Sequence, residues 1–428
     1  MQLFAVVKKK IGVQNIRLGM YVAELDRPWI ESRFLFQGFE VSTEEELEEL
    51  RRLCKYVYIE TDVEYAEGQA KPRGTPAIGR PAPDEFAAKR IGFELVDKAA
   101  ATKSRASRYD DRASVEEELP RAREIEHETR VLLGSIIHDA RMGRLIDTPR
   151  AKTAVAGLVG SILRNPDALI CLNQLKEKDQ YTALHSIRVC VLALAFGRHL
   201  DLTEEELNVL GLGALLHDIG KTKIPPEILN KPGRLTPEEF ALIKSHVPRG
   251  VEILEKTPGI PVRAIEVAAG HHERFDGSGY AKGLSGAQIG LFGQIGAIVD
   301  CYDAITSDRV YHKGMSAHDA LRKMYEWRRK DFDDRMVENF IQCMGIYPIG
   351  SVVEMNTGSV GVVISVNRKR RLRPRVAMVL DTHKQPYASI RVVDLMQEGS
   401  KPGTVEIRSV LPAGSFGIDP VQYLPLAV

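Results

Sequence analysis

The pattern of apolar residues divides the chain into four stretches. From residue 11 to 66, short β-type runs (Met20-Tyr21-Val22-Ala23, Phe34-Leu35-Phe36, Tyr56-Val57-Tyr58-Ile59) surround one helical stretch from Ser42 to Cys54. Ser42 is placed to cap that helix while Glu45, three residues on, reaches back, so a small α+β domain is predicted over 1–66. Between 67 and 118 the periodicity stops. Lys71-Pro72-Arg73-Gly74-Thr75-Pro76 and Arg80-Pro81-Ala82-Pro83 interrupt it, and the rest is charged with few large apolar groups, the pattern of a partly disordered linker. Helical spacing returns over 120–147 through Val131, Leu132, Ile136 and Ile137, and helices dominate to Cys343, giving a helical domain over 119–345. Thr203 with Glu206 and Thr236 with Glu239 match the capping box, Pro237 sits where its missing N–H does no harm, and a long helix is expected from each. After Gly345, Ser351-Val352-Val353, Asn356-Thr357-Gly358 and Val360 to Val366 read as a β-hairpin opening a small, mainly β region over 346–428.

At 428 residues the chain exceeds one ordinary core, which agrees with this multidomain division. Fifty-nine basic side chains against 58 acidic leave a formal charge of +1, so no global field draws DNA or a membrane surface, and an anionic ligand must be met locally. Five cysteines without a CxxC pair fit neither a disulfide framework nor a thiolate zinc site. The apolar run before Lys8-Lys9-Lys10 is too short for a secretory core, and no apolar stretch is long enough to span a bilayer. The chain is read as cytoplasmic.

Histidines and aspartates change the picture. Leu207, Leu210, Leu212, Leu215 and Leu216 make the helix from Thr203 strongly apolar, and it runs into His217-Asp218 with Gly220 placed to end it. Adjacent helical residues point about 100° apart, so one ion does not readily take both; an imidazole on one ion with a carboxylate bridging to a second suits the pair. Other candidate ligands are His185, His246, His271-His272 and Asp300, each beside apolar residues on a predicted helix. An ionised Asp300 next to Val299, on a helix carrying Ile295 and Ile298, is costly without a cation partner.

Over residues 150–345 the sequence resembles the HD-GYP family, bacterial metal-dependent phosphodiesterases that open cyclic di-GMP. The resemblance rests on Tyr181-Thr182-Ala183-Leu184-His185-Ser186, His217-Asp218-Ile219-Gly220-Lys221, His246, His271-His272-Glu273-Arg274-Phe275-Asp276-Gly277-Ser278-Gly279-Tyr280, and the run from Asp300 to Arg309. The region from Ile16-Arg17-Leu18-Gly19-Met20-Tyr21-Val22 onward is similar to the small domain often found before HD-GYP domains. The resemblance implies an all-α HD-type metal-hydrolase domain between the α+β and β regions. It implies His185, His217, Asp218 and Asp300 on one metal, with Asp218 bridging, and His246, His271 and His272 on the second. Some members hold a third metal through a glutamate four residues before the first histidine; Tyr181 stands there, so two ions are expected. Ala281 follows Gly279-Tyr280 where the family has proline, which should loosen the loop without removing a reacting group. Val310 also replaces a common proline, and His312 stands where a basic residue often meets phosphate.

A phosphodiester resists anionic nucleophiles, so its hydrolysis needs cations on the phosphate and a nucleophile ionised at neutral pH. Two ions about 4 Å apart supply both, since a shared water falls to a pKa of about 7. Imidazole and carboxylate ligands suit iron or manganese, with nickel or zinc as alternatives. Lys221 and Arg309 are expected to grip phosphate beside the catalytic Asp218, Tyr280 with Gly279 to border the substrate and stack on a guanine, and Asp303 to orient site residues from behind. The leading reading is hydrolysis of cyclic di-GMP to linear pGpG and onward to GMP. The alternatives are a non-enzymatic signalling module that binds the nucleotide, or a protein partner through the Tyr280-Ala281 loop, and an HD-type hydrolase of another nucleotide. A homodimer is compatible with all of these.

Overall fold

The computed structural model describes residues 4–25, 39–41, 44–64, 108–175, 181–231, 233, 235–307, 314–368, 370–397, 405–412 and 414–425. In chain order the strands are β1 (Phe4–Gly12), β2 (Tyr21–Leu25), β3 (Phe39–Glu40), β4 (Tyr56–Glu64), β5 (Val352–Met355), β6 (Val360–Ser365), β7 (Arg375–Leu380), β8 (Pro386–Asp394) and β9 (Ile407–Val410). The helices are α1 (Glu44–Leu53), α2 (Val115–Arg141), α3 (Thr148–Arg164), α4 (Pro166–Leu172), α5 (Tyr181–His199), α6 (Glu204–Leu216), α7 (Pro226–Leu229), α8 (Pro237–Lys244), α9 (His246–Lys256), α10 (Val262–Gly270), α11 (Leu291–Thr306), α12 (Ala317–Trp327) and α13 (Asp334–Met344). Two compact units result, one from residues 1–85 with 226–242 and the other from 86–225 with 243–428.

The first unit holds an antiparallel sheet of order β1-β4-β2-β3 over a core of Ile16, Val22, Val41, Leu47, Leu50, Val57 and Ile59. β1 is an addition to the sequence reading. Three consecutive lysines hide the period of two, but all nine residues pair with β4, and the Lys10 ammonium sits 3.4 Å from the Tyr56 ring centroid. Ser42, Phe34-Leu35-Phe36 and residues 67–107 of the expected linker lie outside the described residues. The Thr236/Glu239 capping box forms, yet its helix α8 has only 8 residues. Pro248 in the third position of α9 has no N–H for a continuous helix, so the chain turns at Ser245 and starts again.

The second unit is helical, with an antiparallel five-stranded sheet of order β8-β7-β6-β5-β9 at its C-terminal end. The hairpin expected around Asn356-Thr357-Gly358 joins β5 to β6, and Val353, Met355, Val363, Val376 and Met378 fill the sheet's core. In α2, Leu132 and Ile136 are buried as expected, but Val131 is 62% exposed and Leu133 takes the inner place. With apolar residues at three consecutive positions, packing rather than the pattern selects the face. α6 carries the reciprocal Thr203/Glu206 cap, with N to Oε2 at 3.0 Å and N to Oγ1 at 3.2 Å. α5, α6, α10 and α11 pack against one another, and the inner residues of α5 from Ile187 to Phe196 are buried on every side. No single described helix is long and apolar enough to cross a membrane.

Candidate metal centre

Five helices converge on a polar cluster inside this apolar bundle. His185 lies on α5 and Asp300 on α11; His217 and Asp218 end α6, His246 opens α9, and His271-His272 follow α10 directly rather than lying within a helix. After His217 the backbone leaves α geometry (Asp218 φ −99, ψ 9) and tightens into a 3-10 turn over Ile219–Lys223. That change swings Asp218 around, so that its Oδ2 lies 3.3 Å from His217 Nε2 and both side chains share the site, which an undistorted helix would not allow. Gly220 does not end α6 but sits inside the turn. A Cβ there would lie 1.9 Å from the His246 carbonyl oxygen, so only glycine lets α9 come close enough to deliver His246.

Asp218 is the centre of the arrangement. Its Oδ2 faces His217 at 3.3 Å and His185 Nε2 at 3.6 Å, while its Oδ1 faces His246 Nε2 at 3.3 Å and His271 Nε2 at 3.7 Å. Asp300 Oδ1 stands 3.1 Å from His185 Nε2 and 3.9 Å from His217 Nε2, and its Oδ2 lies 4.0 Å from His272 Nδ1. Three sets of side chains offer ligand atoms close enough to share an ion: His185, His217 and Asp300; His246, His271 and His272; His217, Asp218 and His271.

The protonation pattern fits cations. Nδ1 of His217, His246 and His271 each points at a backbone carbonyl (Ala214 at 2.7 Å, Ile243 at 2.7 Å, Ala268 at 2.9 Å), which can only accept, so these nitrogens carry the protons. In neutral rings their Nε2 atoms are then lone pairs, turned toward each other and toward a carboxylate; His246 Nε2 and His271 Nε2 are 3.3 Å apart. His217 Nε2 and Asp218 Oδ1 are buried without a hydrogen-bond partner. Acceptors facing acceptors in a buried site are reconciled by a cation. Burial, with His217 nearby, takes His271 down to about 3, and burial with His271 nearby holds His272 well below its usual value. Burial would raise Asp218 and Asp300, but Lys221 and His217 around the first, and His185 hydrogen-bonded to the second, keep both well below the carboxylate range. Neutral imidazoles and ionised carboxylates are the forms that bind metal.

His185 is set differently. Its Nδ1 lies 2.7 Å from Asp303 Oδ2, and Arg188 grips the same carboxylate through Nε (2.7 Å to Oδ1) and an NH2 (3.1 Å to Oδ2). Burial alone would lower His185, but Asp300 and Asp303 on either side raise it to about 9. The orienting role expected of Asp303 thus has a geometry. Arg188, three residues after His185, was not anticipated from sequence.

Of the expected substrate contacts, Lys221 Nζ is 2.5 Å from Asp218 Oδ2, with its side chain 24% exposed. Tyr280 does not present an open stacking face on both sides: its ring lies on His272, centroids 4.6 Å apart, with Lys244 Nζ 5.8 Å from its centroid. Gly279 packs against backbone, where a Cβ would meet Arg274 N at 2.4 Å. Arg309, Val310 and His312 lie outside the described residues. Glu273, fully buried, was also missed; its carboxylate accepts from Lys282 N at 2.8 Å and Leu284 N at 2.9 Å, tying the loop on the far side of Ala281, and the Tyr280-Ala281 peptide is cis.

Residues 169–336 match the HD domain, residues 8–151 a domain of unknown function (DUF3391), and residues 352–401 a KOW domain associated with the HD domain. The chain is 36% identical over 393 residues to cyclic di-GMP phosphodiesterase PA4108 of Pseudomonas aeruginosa, 91% of this chain and 90% of that protein. It is 40% identical over 157 residues to 3'3'-cGAMP-specific phosphodiesterase 1 of Vibrio cholerae, 37% of this chain and 36% of the other. Among solved structures, Bd1817, an HDG"Y"P protein from Bdellovibrio bacteriovorus, is similar with a TM-score of 0.45 at 18% identity, covering 78% of this chain and 98% of that one.

Proposed function

The chain belongs to the HD-GYP family of HD-domain phosphodiesterases, and we propose that it hydrolyses cyclic di-GMP to linear pGpG, and onward to GMP, at a site for two divalent ions. The observation that carries this reading is the set of buried Nε2 lone pairs of His217, His246 and His271 turned on Asp218, whose two oxygens face different histidines. His185, His217 and Asp300 would hold one ion, His246, His271 and His272 the other, and Asp218 both. Such ions, when bound, neutralise phosphate charge and lower the pKa of water to about 7. The donor set suits iron or manganese, with nickel or zinc as alternatives. Tyr181, in place of the glutamate that holds a third ion in some members, supports two.

The chain's own residues supply positioning. Lys221, part-exposed beside the bridging carboxylate, can turn its ammonium to a substrate phosphate, with Arg309 as its partner in the grip. Tyr280 and Gly279 shape the wall of the substrate site beside His272. Ala281, Lys282 and Gly283 at the loop's turn are all exposed, which leaves a surface for a signalling-protein partner. The formal charge of +1 and the lack of a described membrane-spanning helix support a cytoplasmic nucleotide enzyme rather than one acting on DNA.

Cyclic di-GMP is favoured because the relative aligned over almost the whole chain is named for it. The cGAMP-named relative aligns over a smaller part, so the mixed dinucleotide is the second substrate to try. Anaerobically purified, metal-loaded protein incubated with cyclic di-GMP, 3'3'-cGAMP, cyclic di-AMP and nucleoside polyphosphates should release pGpG fastest from cyclic di-GMP. Faster turnover of another nucleotide reassigns the substrate, and binding without turnover makes the chain a receptor.

A further inference from the structure

The two halves of the centre differ in what stands behind their ligands. On one side, Asp300 adds a full negative charge within 3.1 Å of His185 Nε2, and Asp303, held in two-point contact by Arg188, accepts from His185 Nδ1. A carboxylate behind a ligating imidazole fixes its tautomer and raises its donor strength, and loss of such a partner typically weakens metal binding by about 10–100-fold. On the other side, His246 is backed by the neutral carbonyl of Ile243 and His271 by those of Ala268 and Val267, as His217 is by that of Ala214, so the carboxylate behind His185 is what sets the two sides apart. The carboxylate met there besides the shared Asp218 is Asp300 Oδ2, 4.0 Å from His272 Nδ1.

Access differs at one ligand. The side chain of His272 is 21% exposed and that of Asp300 12%, whereas His185, His217, His246 and His271 are 5% exposed or less. One contact opposes the asymmetry: the Lys221 ammonium lies on Asp218 Oδ2, the oxygen that faces His185 and His217. That charge rides on a flexible, part-exposed stem and can withdraw, while Asp300 and Asp303 are fixed on one helix, α11.

Resting on the two-ion reading above, we propose that the Arg188–Asp303 pair makes the His185 side a tight, resident cation position and leaves the three-histidine side an exchangeable one, so that metal supply sets the fraction of fully loaded protein. Arg188 and Asp303 are positioning residues, acting through His185.

The test is titration of metal-stripped protein with Mn²⁺, reading free Mn²⁺ by electron paramagnetic resonance and fold by circular dichroism. The wild type should take up two equivalents in two steps at least about tenfold apart in affinity. Asp303→Asn should weaken the first step about 10–100-fold and leave the second in place. Arg188→Lys, which keeps the charge but not the planar fork, should fall between. His272→Ala should abolish the second step alone. Two equivalents of equal affinity, equal weakening of both steps in Asp303→Asn, or loss of the tight step in His272→Ala would each overturn the inference while leaving the two-ion site standing. If Asp303→Asn does not fold, the wild-type and His272→Ala titrations decide. Uptake of no Mn²⁺ would overturn the metal reading and this inference with it.

Discussion

The ring of Tyr280 lies on that of His272 with 4.6 Å between centroids and 27° between planes, and its backbone N–H donates to the His272 carbonyl at 3.1 Å. The tyrosine of the loop therefore packs on a candidate ligand. Tyr280→Phe, which keeps the ring, should retain two ions and near-normal turnover. Tyr280→Ala should leave His272 unsupported and weaken the second ion about 10–100-fold, the range for losing a group that orients a ligand. Elemental analysis at limiting metal distinguishes the two. Equal metal content in both variants would return Tyr280 to substrate stacking.

Asp218 faces both histidine groups, so Asp218→Ala should abolish binding of both ions and lower turnover by 10³-fold or more, on the order of losing the principal electrostatic element of a site. Turnover retained with two bound ions would remove its bridging role.

How far the sequence could lead is clearest at this site. Histidines and aspartates are rare enough in apolar helices that the candidate ligands stand out, and the structure brings all seven together. The turn that lets His217 and Asp218 converge is set by the contact of Gly220 with α9, which no local pattern encodes. Arg188 and Glu273 were missed because each acts through a partner distant in sequence or through backbone donors. A charged residue on the all-apolar face of α5 was still a readable signal for Arg188. β1 and the inner face of α2 escaped for a related reason: pairing with β4 and packing choose where the pattern is mute.

Glu273 is fully buried and accepts from two backbone N–H groups across the Tyr280-Ala281 turn. In Glu273→Gln one amide end would meet an N–H donor with its own NH2, at a cost to stability of about 2 kcal/mol, the scale for hydrogen bonds to a charged group. Urea unfolding should report that loss, with a raised Michaelis constant from the displaced loop. An unchanged midpoint and unchanged kinetics would mean that the loop is held by its other contacts.

Acid stability should depend on His199. Burial takes it down to about 4, with Arg371 and Arg368 adding to the effect. In the unfolded chain its pKa is about 6.5, so between those values the unfolded chain binds the extra proton. Its contribution is fully present above pH 6.5 and is lost as pH falls toward 4. His199→Gln should therefore lose less stability than the wild type between pH 7 and pH 5, read from denaturant midpoints. Parallel pH profiles would show that His199 titrates normally.

Lys221 is expected to act separately from the proposed ligands. Its ammonium sits 2.5 Å from Asp218 Oδ2 on a stem that is 24% exposed, close enough to that carboxylate to reach a phosphate held there, yet it offers no lone pair to a cation in its charged form. Removing one preorganised charge that stabilises a transition state typically costs on the order of 10²–10³ in rate, so Lys221→Ala should lower turnover on cyclic di-GMP by about that factor with both ions still bound. Arg309→Ala is expected to behave alike, and the double variant should fall further if the two grip different oxygens. Kinetics and metal content measured on one preparation decide. A Lys221→Ala protein that keeps the parent rate would leave the phosphate to Arg309 and the ions, and one that loses its metals would make Lys221 a structural support for Asp218.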